Sequence, residues 1–284
     1  MKKESKLNLI YFVFILPSVL LFIFAYAFPF FSGVKIAFTD WDGISQTYES
    51  VGLQNFINAF SDVNLGKAVR FTVLFAVLAT AANNVLALCL ALLLNKKLKG
   101  TTVSKTIIFI PMALSAVLAS FVWTFIDSKI YAKAFVTHSL LASPKTVLLG
   151  VILIGLWNGI GSNVMIYLAG LTNIPKECYE SASIDGANGW DKIRYIILPL
   201  LGPTYTVCIT LTLTTCLREF STVMAATGGG PANSSMTIAI FIYRNLFQYN
   251  KAGYGQAVAV MFMIALIVIG TSLKSFFRNR EVEM

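Results

Sequence analysis

The sequence predicts an all-α integral membrane protein with six transmembrane helices, and two observations carry this prediction. Hydrophobic residues make up 57% of the 284 residues and charged residues only 12%, whereas soluble domains have roughly a quarter charged residues. Apolar runs of about 20 residues recur along the chain, which is the length a helix needs to cross a bilayer. A soluble all-helical protein would not need so many long apolar runs. We therefore expect one transmembrane domain over residues 1–284.

The predicted spans begin close to the N-terminus. A cleaved signal peptide is an alternative there, because a basic start precedes the first apolar run and Ala25-Tyr26-Ala27 resembles a cleavage site. The run is long for the apolar part of a signal peptide, which favours an uncleaved first helix. The six spans are expected at about residues 9–31, 70–94, 106–126, 146–171, 200–226 and 256–277.

Two connecting segments are rich in aromatic residues. After the first span, Leu53, Phe56, Ile57 and Phe60 recur at helical spacing, which predicts an amphipathic helix at the membrane interface. Trp41 is suited to anchoring the same segment at the interface. Before the last span we expect an aromatic loop that contains Phe241, Tyr243, Phe247, Tyr249 and Tyr254.

The distribution of basic residues predicts the orientation. A net charge of +9 by itself would suit a nucleic-acid-binding protein, but Lys and Arg cluster at the ends of the spans. The side that holds both termini and the segment 172–199 has 13 of these residues, and the other side has 8. The positive-inside rule therefore predicts cytoplasmic termini and a cytoplasmic segment 172–199 in a multi-pass protein of the cytoplasmic membrane.

The segment 172–199 differs from the apolar spans on either side of it because it is rich in charged residues. Asn173 is a candidate N-cap for a short helix, and Gly186 follows the end of that helix, where a left-handed conformation suits glycine. Asn188 and Asp191 have the N-x-x-D spacing of a second helix start, and that helix would continue to Pro199. Two short helices that meet at a glycine form a protrusion suited to docking another protein.

Catalysis is poorly supported by the sequence. The single histidine, His138, lies in a loop without a suggestive partner, and we expect it to be solvated. The chain has no G-x-x-x-x-G-K-[ST] phosphate-binding loop, so it should not hydrolyse ATP by itself. We expect no catalytic site and no metal site, and we interpret the cysteines as free thiols at Cys89, Cys178, Cys208 and Cys216.

Polar residues within the spans are the candidate substrate pathway, because such groups are costly in hydrocarbon and normally face the protein interior. Span five has one polar face, and span four has a polar break that begins at Trp157. The alternative is that Thr hydroxyls bond to their own helix and that Asn83 and Asn84 join helices. Arg218 and Glu219 could also form an ion pair. The polar face of span five consists of Tyr205, Cys208, Thr212, Thr215, Cys216 and Glu219.

The segment 172–199 also carries a specific resemblance. Glu180-Ser181-Ala182, Gly186 and Ile196-x-Leu198-Pro199 are spaced as in the EAA-x3-G-x9-I-x-L-P cytoplasmic loop of binding-protein-dependent ABC transporter permeases. Ser181 replaces the first alanine of that pattern. The rest of the chain resembles the sugar-permease branch of this family, through motifs that occur in the same order: residues 38–43 (FTDWDG), 51–56 (VGLQNF), 91–95 (ALLLN), 169–171 (AGL) with Ile174-Pro175, and 227–233 (TGGGPAN).

The resemblance implies a type I ABC importer permease bundle of six spans that translocates a sugar or oligosaccharide. It implies a second homologous permease, two cytoplasmic ATPase subunits and an extracytoplasmic sugar-binding protein as partners. This chain would hold no cofactor, since ATP and Mg would bind the ATPases. The implied coupling residues are Glu180, Ser181, Ala182, Asp185, Gly186, Ile196, Leu198 and Pro199. The implied substrate pathway comprises Asn158, Gly159, Ser162, Thr212, Thr215, Cys216 and Glu219.

Two other functions compete with this interpretation. An ion-coupled secondary transporter of small polar solutes would show an inverted repeat or paired broken helices, and the sequence indicates neither. A membrane-embedded enzyme would need a cluster of catalytic residues within the spans, where Glu219 stands alone. The sequence does not specify the sugar, the partner proteins, a homodimer or heterodimer, or whether the host has an outer membrane.

Overall fold

The computed structural model describes residues 2–96, 100–131, 133 and 139–278. Their regular structure is helical apart from one isolated antiparallel bridge between Thr39 and Ser50. His138 lies outside the described residues. The chain divides into two compact units: Met1–Asp62 with Ile242–Phe262, and Val63–Phe241 with Met263–Met284.

The first unit begins with one long apolar helix. It consists of α1 (Lys2–Phe22), a π-helical segment Ile23–Ala27 and α2 (Phe28–Ile36). The stretch Tyr11–Ile36 has a mean hydropathy of 2.3, and none of its most apolar window is buried within the chain. Such a helix is suited to contact with lipid or another membrane helix, because its backbone groups are bonded internally. The predicted span 9–31 lies within it.

The predicted amphipathic helix is present as α3 (Gln54–Ser61). Its inner side packs through Phe56, whose ring centroid lies 5.1 Å from that of Phe38. Ile57 and Phe60 on the other side are 57% and 84% exposed. The helix is therefore confirmed, whereas its position at the membrane interface stays a prediction.

The second unit is built around three helices. They are α4 (Val63–Leu94), α7 (Val147–Asn173) and α11 (Gly202–Leu217), and α4 packs against both of the others. Small residues of α4 allow a close approach to large residues of its neighbours, as in other membrane bundles. The buried contact includes Ala87, Ala91, Val164, Tyr167, Leu171, Leu201 and Cys208.

Span 106–126 is not one continuous helix. α5 (Thr101–Phe109) continues as a 3₁₀ turn Ile110–Ala113, and α6 (Ala116–Phe125) follows at an angle of 105° before a π-helical segment Ile126–Tyr131. Pro111 lies within the turn and cannot donate a backbone hydrogen bond. Ser115 then starts a new helix, because its hydroxyl accepts from the Leu118 amide at 3.2 Å.

Span 200–226 is also interrupted. The preceding helices α8 (Lys176–Ile184), α9 (Gly189–Lys192) and α10 (Leu198–Leu200) reach Leu201, where the chain bends by 70° into α11. Pro203 in the first turn of α11 suits such a start. α11 ends at Leu217, and α12 (Ser221–Thr227) is a separate helix. Four described helices are long and apolar enough to cross a membrane, and six result when each bent pair counts as one span.

Two helices contain residues of both units. These are α13 (Ile238–Phe247) and α14 (Ala252–Arg278). α13 replaces most of the predicted aromatic loop, so that part of the prediction was wrong. This segment forms a helix for two reasons. The Thr237 hydroxyl caps its start by accepting from the Ile240 amide at 3.2 Å, and its apolar side is buried, with Phe241 only 4% exposed.

Candidate functional site

A cavity of about 320 Å³ lies inside the second unit between α4, α6, α7 and α11. Its lining includes all seven residues that the sequence assigned to a substrate pathway: Asn158, Gly159, Ser162, Thr212, Thr215, Cys216 and Glu219. Six of them lie on α7 and α11, which meet only in the tertiary structure, and Glu219 follows the end of α11. Their assembly around one cavity is a finding, whereas a role in transport remains a prediction.

Helical periodicity explains which side chains reach the cavity. On α7, Gly155, Gly159 and Ser162 are separated by four and three residues, and on α11 Thr215 and Cys216 lie three and four residues after Thr212. Residues at these steps share one face of a helix. The predicted face of α11 is nevertheless shorter than expected, because Cys208 is fully buried in the helix contact and the Tyr205 ring packs edge to face against Phe277.

Asn163 connects the three central helices at the edge of the cavity. Its Nδ2 donates to Asn83 Oδ1 and to Thr212 Oγ1, each at 2.7 Å. One turn further along α7, the Tyr167 hydroxyl donates to Asn84 Oδ1 at 2.9 Å. These bonds satisfy polar groups that would be costly to leave unpaired in a membrane. The interpretation that Asn83 and Asn84 join helices is therefore confirmed.

Asn158 makes contacts that the sequence did not predict. Its Nδ2 donates to the carbonyls of Pro111 at 2.8 Å and Leu114 at 3.1 Å. These two carbonyls flank the break between α5 and α6. The helices are also close there, since a Cβ atom on Gly161 would lie 2.9 Å from the Ile108 carbonyl. Asn158 therefore holds the broken helix in place, and only its Oδ1 is left for a ligand.

The remaining lining groups are suited to neutral, hydroxyl-bearing ligands. The Thr215 hydroxyl has no hydrogen-bond partner among the described residues and faces the cavity. Glu219 is the only ionisable carboxylate of the lining, and its Oε1 accepts from the Thr222 amide at 2.7 Å. Arg218 does not pair with it, since Arg218 Nε donates to the Thr214 carbonyl at 3.1 Å. The expected ion pair between these two described residues is therefore absent.

Residues 172–199 form the candidate docking segment. It has the local structure that the sequence predicts, with one exception. Gly186 has φ +77° between α8 and α9, a left-handed conformation that favours glycine. Asn188 and Asp191 form a reciprocal capping box at the start of α9. Asn173, however, is the last residue of α7, and Pro175 takes the N-cap position of α8. Pro175 fits there because its φ is already −57° and its missing amide proton is not needed.

The docking segment has a packed side and a free side. Ile197 and Ile174 are buried against the helix core, and Lys192 Nζ donates to Ser183 Oγ at 2.6 Å across the two short helices. Burial raises the pKa of Tyr179 on the packed side. On the free side, Ile184 is 88% exposed and Trp190 65% exposed. The predicted coupling residues are mostly exposed as well: Glu180, Ser181, Asp185, Gly186, Leu198 and Pro199, with Ala182 and Ile196 half-buried.

Sequence reasoning missed several residues of the cavity. Ala116, Gly155 and Thr222 contribute to its lining. Alanine and glycine carry no chemical signal of their own, and Thr222 comes from a helix that was expected to be part of span five. Among the described residues, no group of three or more His, Cys, Asp or Glu could hold a metal ion.

Comparison with known proteins identifies similar chains. The family model described as "Binding-protein-dependent transport system inner membrane component" matches residues 83–281. The "Probable starch degradation products transport system permease protein" of Thermoanaerobacterium thermosulfurigenes is 31% identical, over 99% of this chain and 98% of that protein. The "Multiple sugar-binding transport system permease protein" of Streptococcus mutans is 30% identical, over 94% of each chain.

Solved structures share the fold. A chain of a bacterial ABC transporter involved in the import of the acidic polysaccharide alginate superposes with a TM-score of 0.85 at 22% identity, over 98% of each chain. A chain of the MetNI methionine ABC transporter in an inward-facing conformation has a TM-score of 0.59 at 18% identity, over 77% of this chain and 96% of that chain. At these identities the likeness concerns the fold alone.

Proposed function

Because this chain belongs to the binding-protein-dependent transport system inner membrane components, we propose that it is the permease subunit of an ATP-driven sugar importer. It would carry a sugar or oligosaccharide across the cytoplasmic membrane. The names of the relatives support the substrate class, since they include permeases for starch degradation products, for multiple sugars and for trehalose and maltose. The hydroxyl-rich cavity with a single carboxylate supports it independently.

The exposed docking segment is the observation that carries the coupling part of the proposal. Large apolar side chains outside a membrane span are costly to leave in water, and Ile184 and Trp190 are more than half exposed. They flank the left-handed Gly186 at the turn between α8 and α9. We infer that this surface docks on a cytoplasmic ATPase subunit, which agrees with the cytoplasmic side that the distribution of basic residues predicts for the segment.

The proposed assembly has four kinds of subunit. A second homologous permease completes the pathway, two ATPases bind ATP and Mg, and an extracytoplasmic binding protein delivers the sugar. Closure of the ATP-loaded pair would push on α8 and α9, and the core of α4, α7 and α11 would change between inward- and outward-facing states. The packed side of the docking segment, at Ile197, is the contact through which this force would reach the helices.

The ion-coupled secondary transporter remains the second candidate, and one observation favours it. The structure has two bent helix pairs, Thr101–Ala113 with Ala116–Tyr131 and Gly189–Leu200 with Gly202–Leu217, although the sequence indicated none. Broken helices are common in secondary transporters. Family membership and the exposed docking segment favour the ATP-driven importer. Co-purification of an ATPase and a second permease with the chain would distinguish the two.

The coupling proposal is tested at Gly186, for which the chain offers a matched control. Gly186→Pro and Glu180→Lys should abolish uptake and sugar-stimulated ATPase activity while the complex still assembles. Gly186→Ala should weaken coupling as well, because an L-residue in the left-handed region costs about 1 kcal/mol. Gly189→Ala is the control, since Gly189 lies in the same segment with open space around it and without a positive φ. Full uptake by Gly186→Pro and Glu180→Lys complexes would refute the coupling role.

A further inference from the structure

The first unit contains a second polar cavity, which none of the assignments above uses. It has a volume of about 360 Å³ and is formed by three segments of this unit: the loop after α2, helix α3 with its C-terminal end, and the start of α14. We call it the Trp41 cavity. Its lining consists of Asp40, Trp41, Asn55, Asn58, Asp62, Asn250, Lys251 and Tyr254.

Hydrogen bonds hold the three segments together, so the cavity is preformed. Asn55 is 8% exposed, and its Nδ2 donates to the carbonyls of Ala37 at 3.0 Å and Thr39 at 2.8 Å. The Gly253 amide donates to the Trp41 carbonyl at 2.8 Å, and the Tyr254 hydroxyl donates to Asp62 Oδ2 at 2.8 Å. Each of these bonds joins two of the three segments. Rigid pockets of this kind bind ligands without a large ordering cost.

Several polar groups of the lining are not used by the scaffold. Asp40 Oδ1 accepts from the Glu49 amide at 2.7 Å, which leaves Oδ2 without a partner among the described residues. Asn58 Oδ1 accepts from Gln54 Nε2 at 2.8 Å, and its own amide nitrogen has no described partner. The Lys251 ammonium likewise makes no described side-chain bond and lies at the cavity. Donors and acceptors are therefore both available.

The charge of the lining selects the chemical class of the ligand. Two carboxylates, Asp40 and Asp62, outweigh one ammonium group, Lys251, which disfavours an anion. The ammonium group and the small number of carboxylates also disfavour a metal ion. The Trp41 ring adds an apolar surface, half-buried and held by its Nε1, which donates to the Ser45 carbonyl at 2.8 Å. An aromatic face surrounded by amide and carboxylate groups matches a ring with many hydroxyl groups.

We propose that the Trp41 cavity binds a neutral saccharide unit. The inference rests on the proposed function, because sugar import is what brings such a ligand to the chain. The loop after the first span and the loop before the last span are both predicted on the side opposite to the docking segment. The cavity would therefore be the first contact of the sugar with this permease, before the cavity between α4, α7 and α11.

The test measures protection of Trp41 from hydroxyl-radical oxidation in the complete transporter complex in nanodiscs. Maltotetraose is the neutral probe and an alginate tetrasaccharide is the acidic probe of equal length. We expect maltotetraose to slow oxidation of Trp41 and Tyr254 by at least about twofold at concentrations above its Kd, which for such an exposed cavity should be about millimolar. Free tryptophan added to the same sample corrects for radical scavenging by the sugar itself.

Three variants locate the effect. Asn58→Ala and Lys251→Ala each remove one unused polar group and should each weaken the protection of Trp41 by maltotetraose. Thr47→Ala is the matched control, because Thr47 is exposed on the same unit outside the cavity and makes no described side-chain bond. It should leave the protection unchanged.

The outcomes separate this inference from the proposed function. Equal slowing of Trp41 and of the added tryptophan, equal protection by the acidic probe, or unchanged protection in both Asn58→Ala and Lys251→Ala would overturn the saccharide site. Protection of Trp41 by the sugar-binding protein without sugar would overturn it as well and assign the cavity to protein docking. Maltotetraose uptake is measured on the same complex: protection of Trp41 without uptake of any neutral sugar contradicts the proposed function and leaves the site standing.

Discussion

Asn163 Nδ2 lies 2.7 Å from Asn83 Oδ1, so a single hydrogen bond joins α7 to α4 beside the main cavity. Both side chains are 5% exposed. The same Nδ2 donates to Thr212 Oγ1 on α11, and the Thr212 hydroxyl in turn donates to the Cys208 carbonyl at 2.7 Å. The three central helices are thus connected at one level by hydrogen bonds between polar side chains, of which Asn83 and Asn163 are almost fully buried.

We expect the Asn83–Asn163 bond to contribute measurably to stability. A double-mutant cycle of Asn83→Ala and Asn163→Ala should give a coupling energy of about 0.5–2 kcal/mol, the range for interhelical hydrogen bonds in membranes. Thermal unfolding of the purified complex in nanodiscs provides the measurement. The control is the cycle of Asn83→Ala with Asn95→Ala, which should give no coupling. Asn95 is exposed and directly follows the end of α4. A coupling of zero for the first pair would contradict the structural assignment.

Asn158→Asp should impair the movement of the transporter more than sugar affinity. The substitution keeps the size of the side chain but replaces the donor to the Pro111 and Leu114 carbonyls with a carboxylate. Two carbonyls left without their donor should cost about 2 kcal/mol or more. We expect a lower unfolding temperature and a lower maximal uptake rate, with little change in KM.

Ser162→Ala is the comparison for Asn158. The Ser162 hydroxyl donates only to the Gly159 carbonyl of its own helix, at 2.8 Å, and the Ser162 side chain is exposed to the cavity. The Ser162→Ala variant should have a higher KM of uptake and an unchanged unfolding temperature. If Asn158→Asp raised KM alone, at unaltered stability, Asn158 would be a sugar contact and not a positioning residue.

Thr215→Val should raise the KM of uptake, because the variant keeps the shape of the side chain and loses a hydroxyl that faces the cavity. One hydrogen bond contributes about 1 kcal/mol, which corresponds to roughly a fivefold higher KM. Thr214→Val is the matched control on the adjacent position, since the Thr214 hydroxyl donates to the Thr210 carbonyl at 2.7 Å and lies outside the cavity lining. Equal KM values for the two variants would exclude Thr215 from sugar binding.

Acid should open the turn after Trp41. The Ser45 hydroxyl donates to Asp42 Oδ2 at 2.6 Å, and the amides of Ser45 and Ile44 donate to Oδ1 at 2.8 Å. These bonds, the hydroxyl first, lower the pKa of Asp42 from 3.8 to about 2. Because the folded pKa lies below the unfolded one, the turn is stabilised above about pH 4 and loses this contribution as the pH falls through about 2.

The measurement for Asp42 is amide hydrogen exchange at Ile44 and Ser45 in the intact chain. Protection should decrease between about pH 4 and pH 2. Ser45→Ala removes the strongest of the three donors, so the pKa of Asp42 should rise towards its ordinary value and protection should be lost at a higher pH. An identical profile for wild type and Ser45→Ala would show that the hydroxyl does not set the pKa.

Local features of the docking segment were predictable because they depend on neighbours in the chain. Gly186 takes a left-handed conformation and Asn188 with Asp191 forms a capping box, as their spacing indicates. Asn173 was misassigned, since α7 continues to that residue and α8 begins after Pro175, which occupies the N-cap position without a side-chain hydrogen bond. Two adjacent start signals compete there, and the packing of the preceding helix decides between them.

Breaks in the spans were less predictable. Pro111 was visible in the sequence, but a proline inside an apolar run is compatible with either a kinked span or a sharp bend. The 105° angle depends on Ser115, which caps α6, and on Asn158, which bonds both carbonyls at the break. Asn158 is 47 residues away from Pro111 in the chain, so no local pattern contains this interaction.

The sequence alone determined that this chain is a helical membrane protein, since hydropathy, helical period and capping act over a few neighbouring residues. Its motifs, above all the one at residues 180–199, indicated the binding-protein-dependent transport family, and the helical period indicated part of the polar faces of α7 and α11. The tertiary structure decided that these faces enclose one cavity, that Asn158 supports the wall of that cavity, and that Trp41 lines a second one. Those outcomes depend on contacts between residues distant in the chain, whose geometry is set by packing of whole helices.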